Sequence, residues 1–103
     1  MATAMAYFAL TEERGAAWDE SRPRREQDGW DEHAAFMDAL VDDGFVILGG
    51  PVGDGRNVLL IVDAEDEHAV EDRLAADPWI STPVLRIARI EPWEVLLGDP
   101  ARS

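Results

Sequence analysis

Two short runs constrain this chain most: Phe45-Val46-Ile47-Leu48 and Val58-Leu59-Leu60-Ile61-Val62, in which apolar residues fill every position rather than every second one. Runs this short, rich in β-branched and aromatic residues, predict strands. A strand that is apolar on both faces has to be covered on both. Gly49-Gly50-Pro51 closes the first run, and the turn chemistry of Gly53-Asp54-Gly55-Arg56-Asn57 precedes the second, so the pair reads as a hairpin with a long turn. Helices of the same chain can cover one face of such a sheet. The other face needs a second source of cover.

The flanking segments predict those helices and two more strands. Residues 5–10 are an apolar run ended by Thr11-Glu12-Glu13-Arg14-Gly15, as a first strand would be. Trp30, His33, Ala34, Met37, Leu40 and Val41 recur at helical spacing while Glu32, Asp38 and Asp42 fall largely elsewhere, which predicts a helix over 31–43 stopped by Gly44. Asp63 to Asp66 offers N-cap chemistry to a second helix with Ala69, Val70, Arg73 and Leu74 along one stripe. Asp77-Pro78 ends it, because proline cannot continue a helix. Residues 84–90 alternate imperfectly and predict a last strand, interrupted by Pro92-Trp93 before the apolar 95–97, with a frayed tail over 98–103. Strand, helix, strand, strand, helix, strand is the order of a ferredoxin-like α+β domain, both helices lying on one face of an antiparallel sheet.

The 103 residues, 47% of them hydrophobic, predict a single domain, 1–103, with a core over about 5–97. So small a domain gains stability by burying its bare sheet face against a second copy, so a homodimer is expected. A net charge of −13 argues against nucleic acid and anionic membrane as partners. Residues 1–10 lack a basic leader region and no apolar run is long enough to span a bilayer, so a cytoplasmic location is expected.

The absence of cysteine excludes disulfides, thiolate zinc sites and cysteine nucleophiles. Two histidines far apart on opposite helical faces make a poor metal set, and the carboxylates of 63–72 lack calcium-loop spacing. The glycines of 49–55 lack the lysine of a phosphate loop, and Ser21, Ser81 and Thr82 belong to no nucleophile motif. Neither metal nor cofactor is expected.

Residues 14–29 stand apart, with Gly15, Pro23, Trp18 and no sustained period. Arg14, Arg22, Arg24 and Arg25, four of the nine basic residues, concentrate there and form the one patch suited to attracting an anion. Loops of this length are often functional. A surface flap pinned by Trp18 and Trp30 fits the composition equally well.

Trp30-Asp-Glu-His-Ala-Ala-Phe-Met-Asp-Ala-Leu40, Gly44 with Gly49-Gly50-Pro51, Asp77-Pro78-Trp79 and Glu91-Pro92-Trp93, in this order and spacing, resemble the YCII-related family of the dimeric α/β-barrel group. The resemblance runs from Tyr7 to about Leu97. It implies two sheets packed face to face in a dimer, and it implies that His33 and Asp77 occupy the family's active-site positions. The chemistry of the two residues is in keeping with this. His33 lies on or beside the apolar stripe of the first helix and Asp77 at the exit of the second, and a carboxylate beside an imidazole fixes its tautomer and prepares it for proton transfer near neutral pH. A buried, chemically idle histidine is the competing reading.

The resulting expectation is a small enzyme of lyase or isomerase type, with a family dehydrochlorinase as the analogy. His33 would be its acid or base and Asp77 the orienting partner. One or more of Arg22, Arg24 and Arg25 would clamp a small organic, anionic substrate, with Gly50, Pro51 and Trp79 lining the cleft. For Trp79 and Trp93, simple packing at the end of the sheet is the alternative role. The alternative function is a non-catalytic dimeric module that binds a small ligand or another protein. His68, on the polar face of the second helix, is expected to be solvated.

Overall fold

The computed structural model describes residues 6–98. Strands β1 (Ala6–Arg14), β2 (Val46–Val52), β3 (Asn57–Ala64) and β4 (Leu85–Trp93) form one sheet in the order β2-β3-β1-β4, every neighbouring pair antiparallel. Helices α1 (Trp30–Asp42) and α2 (Glu67–Leu74) follow β1 and β3, and a four-residue α3 (Pro78–Ser81) leads into β4. This is the ferredoxin-like α+β arrangement.

Alternation along the strands sorts the side chains. Phe8 and Leu10 of β1, Val46 of β2, and Val58, Leu60 and Val62 of β3 point to the helix side, where they bury against Leu40, Val70 and Leu74. Helix α1 ends in a Schellman turn: Gly44, at φ 80°, donates its N–H to Val41 O and Phe45 donates to Leu40 O, each at 3.0 Å. Asp66 caps α2 by accepting from Ala69 N at 2.8 Å.

Several boundaries differ from the sequence expectation, for local reasons. β1 runs on through Thr11-Glu-Glu-Arg14 because its period of two continues, with Glu12 turned inward in line with Phe8 and Leu10. Gly49-Gly50-Pro51 belongs to β2 rather than closing it; β2 is an edge strand, where a missing N–H can point away from the sheet. The turn shrinks to residues 53–56. Asp77-Pro78 opens α3 as well as ending α2, since Asp77 accepts from Trp79 N at 2.9 Å and proline is favoured in a first helical turn.

β4 passes straight through Pro92, and 95–97 join no strand; Leu96 and Leu97 are exposed. The uneven alternation of 84–90 comes from a bulge: Thr11 faces Arg89 but Glu12 faces Ile87, leaving Ala88 as the extra residue. Residue 5 and, apart from Gly98, the expected tail lie outside the described residues.

Residues 15–29 wrap the α3 end of the sheet. Gly15 and Ala17 donate to Val84 O and Pro83 O, and buried Gln27 ties the loop to itself, its side chain donating to Asp19 O and Arg22 O and accepting from Asp19 N. Trp18, Trp79, Val84 and Leu85 bury there as a second small core. Among the described residues no helix lies on the opposite sheet face. Leu48, Val52 and Trp93 are exposed on it, beside a shallow depression of about 290 Å³ lined by Ala9, Leu59, Ile61, Glu91, Pro92 and Trp93.

Candidate functional site

The first turns of α1 and α3 meet on the helix side of the sheet, and their side chains interlock. His33, in the first turns of α1, places Nδ1 2.9 and 3.0 Å from the two oxygens of Asp77. Asp77 is fully buried, and His33 is 8% exposed. With Nδ1–H donating to the carboxylate, the neutral ring carries its lone pair at Nε2, a tautomer assigned from the hydrogen bonding. No protein group among the described residues bonds to Nε2.

Under the imidazole lies the Trp79 indole, stacked at 4.0 Å and 8°. The indole is itself pinned, donating from Nε1 to Asp28 O at 2.8 Å. Gly29, at φ 78°, caps α1 next to that ring. The histidine is thus held by a carboxylate at its edge and an aromatic plane below.

A cavity of about 160 Å³ opens beside His33. Helix α1 contributes Trp30 and Met37, β2 contributes Gly49, Gly50 and Pro51, and Val58, Leu60 and Leu85 form an apolar floor. Its charged members are Arg24 and Glu12. Arg24 reaches in from the loop, donating to Gly55 O at 3.0 Å; burial and the nearby Arg14 charge pull its pKa below the usual arginine range.

Glu12 carries no sequence motif, and sequence reasoning passed over it. It is 1% exposed, and its Oε2 has no hydrogen-bond partner among the described residues. Burial first, and the negative charge of Asp77 second, push its carboxyl up to about 7, with Arg24 partly opposing. The signal that could have found it was the inward alternation Phe8, Leu10, Glu12.

The remaining sequence candidates divide. Arg24, Gly50 and Pro51 line the cavity with His33, whereas Trp79 lies behind the imidazole rather than on the cavity wall. Arg22 faces outward, paired with Asp28 at 3.2 Å, and Arg25 sits over the Trp30 ring at 5.8 Å; neither lines the cavity. His68 is exposed and 3.3 Å from Asp72. Among the described residues no cluster of histidine and acidic side chains is arranged to hold a metal ion, and no helix is long and apolar enough to cross a membrane.

Fold and geometry together define a ferredoxin-like α+β domain with a buried histidine–carboxylate pair at the wall of a small cavity. The chain belongs to the YCII-related domain family, whose model matches residues 5–94. A solved structure of 5-chloro-2-hydroxyhydroquinone dehydrochlorinase (TftG) from Burkholderia phenoliruptrix AC1100, in complex with 2,5-dihydroxybenzoquinone, is similar to it with a TM-score of 0.56 and 23% identity, over 84% of this chain and 93% of that one. At that identity the likeness speaks for the fold alone. A second structure, of a protein named YJCS, aligns at a TM-score of 0.48 and 15% identity over 89% of this chain and 99% of that one. A search of curated proteins finds none that matches this chain.

Proposed function

We propose that this chain is a small acid–base enzyme in which His33 transfers a proton at Nε2 to or from a compact organic substrate, in a step of lyase or isomerase type. One observation carries the reading: a buried carboxylate, Asp77, grips Nδ1 with both oxygens while the same imidazole walls a cavity. Fixing Nδ1 fixes the basic nitrogen at Nε2 and stabilises the imidazolium that forms when it takes a proton. Arg24 supplies positive charge for an anionic group of the substrate. The quinone complex of the dehydrochlorinase TftG is in line with a ligand of one ring.

A structural role competes, because the His33–Asp77–Trp79 unit also fastens α1 to α3. Chloride release from 5-chloro-2-hydroxyhydroquinone, and the visible absorption of 2,5-dihydroxybenzoquinone on binding, are the first measurements to make. Catalysis by His33 requires that His33→Ala lose turnover while keeping its fold. Retained turnover in that variant would remove His33 from the mechanism.

We further infer that two copies pair through their open sheet faces, where Leu48, Val52 and Trp93 are exposed beside Leu59 and Ile61. A cytoplasmic homodimer is the form this reading expects.

A further inference from the structure

The proton-transfer reading above leaves the Glu12 carboxyl without a task. In register it lies between Val58 of β3 and Ile87 of β4, both apolar. Its Oε2 is buried without a partner among the described residues, yet the side chain lines the cavity beside His33. Packing alone is served by an apolar residue, as at Leu10 two positions earlier on the same face. A buried polar atom with no partner carries a penalty that a ligand can remove.

The charged groups around it are few. Asp77 raises its proton affinity; Arg24, reaching in from the loop, lowers it. His33 shares the cavity from α1, and Arg14 lies two residues along β1. β2, β3 and β4 present glycine, proline and aliphatic side chains to the cavity. In these surroundings the carboxyl holds its proton up to about neutral pH and is able to donate it.

The cavity also limits the ligand. At about 160 Å³ it matches an engineered protein cavity of about 150 Å³ that admits one benzene ring. Its polar groups are an acceptor at His33 Nε2, a donor at Glu12 and the Arg24 cation, over an aliphatic floor.

We propose that Glu12 is a second acid–base residue of this cavity, a neutral carboxyl that donates its proton to a carbonyl oxygen of a ring-sized hydroxy-carbonyl compound while His33 Nε2 removes a proton from the adjacent carbon. The proposal rests on the reading of His33 as a working base. The C–H electron pair becomes the new C=C bond, the carbonyl π pair moves to oxygen, and that oxygen takes the Glu12 proton. Reversal returns a proton to carbon and restores both residues, so no other reactant is needed.

Cyclohexane-1,2-dione is a suitable probe, with deuterium incorporation at the carbon beside its carbonyl followed by proton NMR in D₂O. The protein should accelerate incorporation, with a rate that falls as Glu12 ionises. Glu12→Gln keeps the shape of the side chain but has no proton to give, so it should lose about 100-fold in rate and lose the falling limb. Glu12→Asp should restore that limb. His33→Ala should lose the acceleration; if it does not while Glu12→Gln still fails, the reading of His33 falls and the Glu12 role stands with a different base. A Glu12→Gln variant with the parent rate and profile, or a parent protein that does not accelerate exchange, overturns the proposal.

Discussion

Glu12→Gln should make the folded protein more stable relative to its parent above neutral pH and leave the pair nearly matched in acid. The carboxyl is raised from 4.5 to about 7 in the folded chain, chiefly because it is buried between strands. At about 1.4 kcal/mol for each tenfold change in ionisation, this amounts to roughly 3 kcal/mol. Below pH 4.5 the group is neutral in both folded and unfolded chains and makes no difference. Between 4.5 and about 7 the unfolded chain ionises first, so stability falls as pH rises; above about 7 the loss is complete.

The neutral amide of the variant removes this slope. Urea unfolding of both proteins, at one fixed concentration between pH 4.5 and 8.5, measures it. The difference in unfolding free energy should grow by about 3 kcal/mol in favour of Glu12→Gln, or about 10–15 °C in Tm for a chain of this length. A difference that stays the same across this range would refute the reasoning, because it would mean the carboxyl is hydrated in the folded state.

Asp77→Ala strips partners from His33 Nδ1 and Trp79 N, both buried, and should cost about 3 kcal/mol in a denaturant titration; a loss under about 1 kcal/mol would mean the site relaxes freely. Gly15→Ala sets a Cβ against the Pro83 carbonyl at the base of the long loop and should cost about 1–3 kcal/mol, with a thermal melt as the check. Leu48→Glu and Trp93→Glu place charge on the bare sheet face and should turn a dimer into a folded monomer in light scattering; a parent protein that is already monomeric would sink the pairing.

The element order was legible because the central segments carried a clear signal. The helical period of α1 and the apolar runs of β2 and β3 needed no tertiary context. What was misread had two meanings locally. Asp77-Pro78 is a stop for one helix and a start for the next, and only the packing of Trp79 shows that both apply. Gly49-Gly50-Pro51 spells a turn but extends an edge strand, where the missing donor does little harm.

Of the candidate site, the histidine and aspartate could be named from the resemblance, but the distance between them could not. Arg22, Arg24 and Arg25 looked alike in sequence; the short 3₁₀ turn over Arg24–Glu26 sends only Arg24 into the cavity. Glu12 stayed hidden because a charged residue near the end of an apolar run ordinarily marks the way out to solvent. Here the strand continued and carried the charge inward.

The flat contact between His33 and Trp79 also gives the molecule a meter of its own. A ring lying flat on an indole face touches its π electrons directly, so the light that the excited indole emits depends on what that ring is. Emission from Trp79 should therefore change when His33 is replaced, with Trp30 and Trp18 close enough, at 5.6 and 6.3 Å between ring centres, to pass their excitation to it. The emission of the parent protein set beside that of His33→Gln would read this contact without a label. A trace unchanged by that substitution would show the two rings to be optically independent.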